Sequence, residues 1–556
     1  MTWMKHGCHV QDVSIHVPTP RNNFPGRHVK RANSLMLFTF FLVVALPSTF
    51  FVFVPLVGAA RISSSSSTNL VHLLENHHGS SSSSNDPLTS LPGFDLRSLG
   101  ASKIFAGTLT VNEVNGRALF YTFVTADVDD YTTAPVTMWL NGGPGCSSVG
   151  GGFMSEMGPF YPDANAPLGT KLVKNEYAWN RVSNMLYLEQ PAGVGFSYTN
   201  TTSDLKVGDE RSADDVRTFL LRFFEQQHPE LAKNAFFIAG ESYGGHYVPS
   251  IATAIVNGNA KYPHDLHINL QGIAVGNAWV VPQLDNYGAA YFWVTHAIIS
   301  KPTFDKINET CNFFDVGPLL RDEGECDNAV DAAMNEMGNI NIYEIYAPVC
   351  VNHQAAKRVS ALANAAAPDS PFMRAVARKL NRQHTETTRA ARRDAGQRNQ
   401  PGYDPCIEDG VAAYLNRPDV QAALHANRTG LPYSWSDCSS IIEYSRKDLL
   451  TSRLPEYQNL VANGIRVLVY SGDVDAIVPV TGTRLWIAQM GLREVAKWQS
   501  WVEPETEQVG GYVVSYEKDF TFATVRNSGH MAPYVQPLRS LHMFETFLSN
   551  GKLTAN

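Results

Sequence analysis

The sequence predicts an α/β protein: a mostly parallel central sheet flanked by helices and interrupted by an inserted helical cap. Three observations carry this. Short apolar runs recur along the chain, separated by stretches of helical periodicity, the pattern of strands alternating with crossover helices. One such run ends in a Gly-x-Ser-x-Gly turn that opens directly into a helical pattern. Between about Trp279 and Tyr444 the regular strand spacing is lost, and it resumes near Ile465.

Composition bounds the classes open to the chain. Its 556 residues are 44% hydrophobic and 17% charged, enough for a sizeable core and too weakly charged for a disordered protein. Lys and Arg number 44 against 52 Asp and Glu, a net charge of −8, and no basic stripe runs along the body, which sets nucleic acid aside as a partner. No Cys-x-x-Cys pair or His-Glu-x-x-His helix offers metal-ligand spacing, so neither a metal nor another cofactor is expected.

The first element is a targeting segment. Leu35 to Ala60 is almost uninterrupted apolar sequence after Arg21, Arg27, Lys30 and Arg31. It is long enough to span a bilayer, but Pro47 and Pro55 interrupt it, and Val57, Gly58, Ala59 and Ala60 resemble a cleavage site. Residues 1–60 are therefore read as a signal peptide or anchor with a basic extension, with membrane association only if the segment is retained. Residues 61–90 are a Ser-rich linker or propeptide. Either reading of the leader sends the body into the secretory pathway, to a vacuole-like or lysosome-like compartment or the extracellular space. Three acceptor sequons, at Asn200, Asn308 and Asn427, fit that address. In such a compartment the six body cysteines can all pair, leaving only Cys8, which precedes the apolar run.

The body is expected over 91–278 and 445–556. Its first two strands flank Asn115-Gly116, a dipeptide suited to a tight hairpin. Further strands are expected at 135–140, 184–189, 234–240, 270–276, 465–472 and 520–525. Between the second and third of these expected runs, Val216, Phe219, Leu220, Phe223 and Phe224 recur at helical spacing within Ser212 to His228. The cap occupies 279–444. Within it, residues 353–400 are rich in Ala and Arg and poor in large apolar side chains, a composition that favours exposure and proteolytic excision.

Candidate chemistry sits where strands end. Gly240-Glu241-Ser242-Tyr243-Gly244 lies between an expected strand and an expected helix, the arrangement of a nucleophile elbow, with the glycines assigned to close backbone approach. A serine hydroxyl needs a base to take its proton, and a histidine oriented by a carboxylate meets that need. His530 follows the 520–525 run; Asp473 follows the 465–472 run at once, with Asp475 as an alternative acid. The chain order Ser, Asp, His is that of the α/β-hydrolase fold. Upstream, Asn141-Gly142-Gly143-Pro144-Gly145 also follows a strand, so the N–H groups of Gly143 and Tyr243 form the natural pair for an oxyanion.

WLNGGPGCSS, GESYGGHYVP, SGDVDAIVP and NSGHMAP together resemble the signature blocks of the serine carboxypeptidase family, and the similarity runs from about residue 90 to the C-terminus. EIYAPVC, YDPC and YLNRPDVQAALHAN resemble its plant-type, two-chain branch. The resemblance implies Ser242 as nucleophile, His530 as base and then acid, Asp473 as orienting carboxylate, and Gly143 and Tyr243 as oxyanion donors. It maps the clamp for a substrate's terminal carboxylate onto Asn141, Gly142, Glu156 and Glu241. It also pairs Cys146 with Cys438, Cys311 with Cys326 and Cys350 with Cys406. Gly244 departs from the Ala of many relatives, a change expected to leave the turn intact. The implied substrates are C-termini of peptides and proteins, and a homodimer is left open. An acyltransferase using the same triad is the alternative, disfavoured by the Glu at 241, and an inactive binding protein would require a lost triad member.

Overall fold

The computed structural model describes residues 86–311, 313, 323–350, 403–428, 431 and 433–554. The expected targeting segment, Cys8, most of the 61–90 stretch and the 353–400 linker lie outside the described residues.

Ten strands form one sheet: β1 (Ile104–Asn112), β2 (Arg117–Val124), β3 (Val136–Leu140), β4 (Asn184–Leu188), β5 (Phe236–Glu241), β6 (Leu270–Gly276), β7 (Arg466–Gly472), β8 (Glu494–Glu503), β9 (Gln508–Tyr516) and β10 (Phe520–Val525). Their spatial order is β1-β2-β4-β3-β5-β6-β7-β10-β9-β8. The strands from β4 to β10 in that order pair in parallel, and antiparallel strands finish both edges. The β1–β2 turn passes through Gly116, whose φ of 62° lies in the left-handed region that glycine enters without strain.

The interior of the sheet is apolar on both faces, as a parallel sheet covered twice must be. Side chains alternate along β5: Phe236 and Ile238 meet one core, Phe237 and Ala239 the other. The first core is closed by helix α1 (Asp209–Arg222), through Val216, Phe219 and Leu220, and by α2 (Gly244–Lys261), through Val248, Ile251 and Ile255. Asp209 and Glu210 sit in the first turn of α1, where negative charge is favoured. A wide π-type turn then carries the helical course to Gln227, covering the stretch that the spacing of apolar residues marked. On the second face Trp179 stacks on Phe544 at 3.9 Å between centroids. Each such large side chain withdrawn from water stabilises the fold by roughly 1.5–3 kcal/mol.

Between β6 and β7 the described residues add no strand to the large sheet. Helices α3 (Pro282–Thr295), α4 (Lys301–Thr310) and α5 (Glu323–Met337) build a third apolar cluster around Trp293, Ile307 and Val330. The Cys311–Cys326 disulfide closes the connection from α4 to α5. Residues after α5 then lie across the loops that follow β7 and β10: Ala476 N–H donates to Ile342 O at 2.9 Å and His530 N–H to Tyr343 O at 2.7 Å. Beyond residue 403 the chain returns to the body, where α6 (Ile407–Leu415) buries Val411, Tyr414 and Leu415 in the second core. Disulfides Cys350–Cys406 and Cys146–Cys438 complete the pairing that the family resemblance implied. Asn200, Asn308 and Asn427 are all exposed.

Two acids are sealed into this framework. Glu189 accepts hydrogen bonds from Ser147 Oγ, Phe196 N–H and Trp435 Nε1, yet burial pushes its carboxyl up to about 7. Asp285 receives Val280 and Val281 N–H at the start of α3, and burial raises it to about 7 as well. As pH rises from the ordinary carboxylate range toward 7, the unfolded chain loses these protons first while the fold retains them, so stability falls over that window. Asp204 and Asp209 are shifted the other way and withdraw stability only when pH drops below the ordinary range. The share of stability due to each raised acid, on the order of 1–3 kcal/mol, should therefore decline as pH rises from the ordinary carboxylate range through about 7, while buried His228 and His246, held below their ordinary value, withdraw stability in the opposite direction as pH falls. Asp285→Asn should remove its part of that decline in thermal melts; the same pH dependence of melting temperature in the variant and the parent protein would contradict it.

Candidate active site

Ser242 follows β5 in a backbone conformation with φ of 60°, a region non-glycine residues enter only when their surroundings impose it. Here the neighbouring strand end imposes it. Ser242 N–H donates to Gly276 O at 3.0 Å, while Ser242 O accepts from Gly245 N–H and Trp279 N–H, both at 2.9 Å. A Cβ on Gly240 would press on Leu140 O at 2.6 Å, and one on Gly245 would overlap the Trp279 backbone. A Cβ on Gly244 would meet only Leu140 O at 3.4 Å, so alanine fits there without displacement. The close approaches therefore fall on Gly240 and Gly245, not on the second glycine of the Gly-x-Ser-x-Gly pattern.

His530 is buried beyond β10, and its Nδ1 lies 2.7 Å from Asp475 Oδ2. This corrects the choice of Asp473. The chain turns at Asp473 and Val474, so the first acid after β7 faces the 526–528 loop, where Asp473 Oδ1 accepts Asn527 N–H at 2.7 Å and Ser528 N–H at 3.4 Å. Asp473 also lines a cavity of about 320 Å³ with Arg526 and Arg539. Asp475 is fully buried, and Asn277 Nδ2 (2.9 Å), Ile477 N–H (2.9 Å) and Val478 N–H (3.3 Å) donate to its two oxygens. Because a carboxylate only accepts, the bond to His530 is donated by Nδ1–H, which leaves Nε2 as the basic nitrogen. Asn277 is a residue that sequence reasoning missed. It follows β6 with φ of 40° and accepts Gly472 N–H through Oδ1 at 3.0 Å, so it locks the turn in which Asp475 sits. Its one sequence signal is a polar residue at the end of the strand between those that carry the serine and the acid.

Ser242, Asn277, Asp475 and His530 thus stand beyond the carboxyl ends of four consecutive strands in the sheet, β5, β6, β7 and β10. Open α/β sheets bind ligands at that edge. No hydrogen bond joins Ser242 Oγ to His530 among the described residues, and such pairs often tighten only in the reacting complex.

The Gly-rich loop after β3 packs on the elbow. A Cβ on Gly142 would fall 2.8 Å from both Glu241 O and Ser242 Cβ, and Gly143 has φ of 111°. The loop is held by Cys146 N–H donating to Gly142 O at 3.1 Å and by Gly145 N–H donating to Tyr247 Oη at 3.0 Å. Beside it Asn141, Glu156 and Glu241 form one cluster. Asn141 Oδ1 accepts Trp139 Nε1–H (2.8 Å) and Gly152 N–H (2.9 Å), which fixes the amide orientation. Its Nδ2 then donates to Glu156 Oε1 at 2.7 Å and Glu241 Oε1 at 3.1 Å. Both second carboxyl oxygens are buried and receive no donor, while the two carboxyl groups lie within hydrogen-bonding reach of each other. Burial raises both groups above the ordinary carboxylate range, and for Glu241 the charge of Glu156 adds to the rise. The pair therefore holds a shared proton at mildly acidic pH.

Comparison with known proteins accords with this geometry. A family model described as serine carboxypeptidase matches residues 92–550. Serine carboxypeptidase 24 of Arabidopsis thaliana is 41% identical over 518 residues, covering 93% of this chain and 98% of that one. Serine carboxypeptidase-like 34 of the same plant is 40% identical over 450 residues, 81% of this chain and 86% of its own. A crystal structure of a prohormone-processing carboxypeptidase from Saccharomyces cerevisiae shares the fold, with a TM-score of 0.65 at 21% identity over 83% of this chain and 94% of that one. The chain belongs to the serine carboxypeptidase family.

Proposed function

We propose that the protein removes C-terminal residues from peptides and proteins at acidic pH through an acyl-enzyme on Ser242, within the secretory pathway. The observation that carries this reading is the buried Asn141–Glu156–Glu241 cluster placed against the nucleophile. A carboxyl that retains its proton can donate to a substrate's terminal carboxylate, and the substrate then competes with Glu241 for the longer of the two Asn141 bonds, alongside the Gly142 N–H. Anchoring the chain end there presents the last peptide bond to Ser242, which makes the reaction an exopeptidase reaction.

The steps follow from the residues. Ser242 Oγ attacks the carbonyl carbon of that bond while its proton passes to His530 Nε2, and Asp475 holds the resulting imidazolium by the Nδ1–H bond. The oxyanion is received by the N–H groups of Gly143 and Tyr243. His530 returns the proton to the departing nitrogen, the C-terminal amino acid leaves, and water, deprotonated by His530, cleaves the acyl-enzyme. Three disulfides that join all six body cysteines, together with the exposed sequon asparagines, support an oxidising secretory compartment. Among the described residues no helix is long and apolar enough to cross a membrane.

The identity of the acid is directly testable. Asp475→Asn should lower kcat by about 10³–10⁴-fold, because the wrong imidazole tautomer is then favoured. Asp473→Asn should keep kcat within about tenfold, since Asp473 only braces the histidine loop. Steady-state kinetics on a dipeptide substrate separate the two; the reverse order would restore Asp473 as the acid. Mass spectrometry of a peptide mixture at pH 5 should show single-residue C-terminal losses, and ester products formed with an added alcohol would instead indicate acyl transfer.

The carboxyl pair gives a second test. As pH rises from about 6 to 8, through the value of about 7 to which burial lifts Glu156, the cluster loses a proton and carries additional negative charge toward a negatively charged substrate. KM for free-carboxylate peptides should rise across that window, while KM for peptide amides and esters stays nearly level. Glu156→Gln and Glu241→Gln should each flatten the KM profile; unchanged profiles in both variants would remove the pair from substrate binding.

A further inference from the structure

A buried polar cluster supports the elbow. Asp209, the first residue of α1, is 2% exposed, and four side chains donate to its carboxylate. Tyr444 Oη (2.5 Å) and Tyr243 Oη (3.3 Å) reach Oδ1, while Arg453 Nη2 (2.5 Å) and His246 Nδ1 (3.1 Å) reach Oδ2. Burial pushes this carboxyl up, but the hydrogen bond from His246, the charge of Arg453 and the Tyr444 hydroxyl outweigh it, and the net direction is down, while burial holds His246 itself toward its neutral form. Asp209 is therefore an anion sealed in the core.

Two of its partners, Tyr243 and His246, belong to the elbow, and the other two, Tyr444 and Arg453, come from the 444–453 segment. Tyr243 directly follows the nucleophile, and its ring stacks on His246 at 4.4 Å. Tyr247, one turn on, packs edge-on against Tyr243 at 5.1 Å and accepts Gly145 N–H from the Gly-rich loop. Tyr457 Oη donates to Gly245 O at 3.0 Å from the helix Leu454–Ala462. A buried ionic cluster is at best neutral for stability compared with apolar packing of the same volume, so stability alone gives no reason to place one here. What the cluster does accomplish is geometric: it joins, through hydroxyls and stacked rings, the two backbone segments that present N–H groups to the oxyanion.

We propose that Asp209 is a positioning residue for the reaction: by holding the Tyr243 phenol it sets the Tyr243 N–H, and through Tyr247 the facing Gly143–Gly145 loop, at the geometry that receives the oxyanion. This rests on the assignment of the Tyr243 N–H as an oxyanion donor. Such an interaction acts on the transition state and not on the bound substrate, so it appears in kcat and leaves KM alone.

The test uses Tyr243→Phe, which keeps the stacked ring and removes only the hydroxyl, with Asp209→Asn as the stronger perturbation. For each, kcat and KM on a peptide substrate are measured beside the affinities for a peptide aldehyde, which adds Ser242 to form a tetrahedral adduct, and for a non-hydrolysable peptide that binds without adding. Tyr243→Phe should lower kcat about tenfold, less than the roughly 10²–10³-fold loss expected when a whole oxyanion donor is removed. KM should stay within about twofold. Aldehyde affinity should fall by the same factor as kcat, with affinity for the non-hydrolysable peptide unchanged. Asp209→Asn should move in the same direction and further. Unchanged kcat and aldehyde affinity in Tyr243→Phe would overturn the proposal, as would equal losses for the two ligands; should Asp209→Asn not fold, Tyr243→Phe decides. Activity persisting in Ser242→Ala would sink the underlying mechanism instead, which keeps the two failures distinct.

Discussion

The left-handed backbone at Ser242 is the constraint from which the rest of the site follows. A serine held at φ of 60° is strained by about a kilocalorie or more, and it persists because Gly276, the last residue of the adjacent strand, and Trp279, just beyond it, take up its N–H and C=O. That fixes how β5 and β6 terminate relative to each other. Asn277, next to Gly276, is thereby placed to receive Gly472 N–H and to donate to Asp475, which in turn orients His530. A single continuous line of bonds therefore runs from the nucleophile's backbone to the base, crossing four strand ends. The parallel sheet supplies the stiffness, since its strands are buried on both faces and cannot slide without exposing a whole row of side chains.

Charge is distributed around this line in two opposite ways. The carboxyls of Glu156 and Glu241 are packed together without a cation, so burial drives them toward the neutral form and the cluster stores a proton. Asp209, equally buried, is surrounded by Arg453, His246 and two phenols, and remains an anion. Both arrangements lie within a few residues of Ser242, and the difference in partners alone decides which acid can donate a hydrogen bond and which can only accept one.

Much of this was legible in the amino-acid sequence because it depends on local pattern. The interior strands announce themselves as runs such as PVTMWL and IRVLVYSG, whose burial on both faces allows no polar alternation. The edge strands β8 and β9 did not, because β8 is largely exposed and its polar and aromatic residues lack a clear period. The choice between Asp473 and Asp475 turned on a bend that only the packed structure reveals: two acids two residues apart share a face in an extended strand, but the chain has already left the strand at Gly472. Asn277 and Asp209 were invisible for a related reason: the side-chain partners of Asn277 lie 195 or more positions away, and those of Asp209 lie 34 to 244 positions away, and no spacing rule reaches that far.

The order of the four strand ends along the chain has a consequence for biosynthesis. Ser242 precedes Asp475 by 233 positions and His530 by 288; Cys146, in the Gly-rich loop, is bonded to a cysteine 292 positions downstream. A nascent chain therefore displays its serine long before it owns an acid or a base. Synthesis itself acts as a safety interval: the site can close only once the chain has been made as far as His530, and a fragment terminated before it lacks the parts to attack its neighbours.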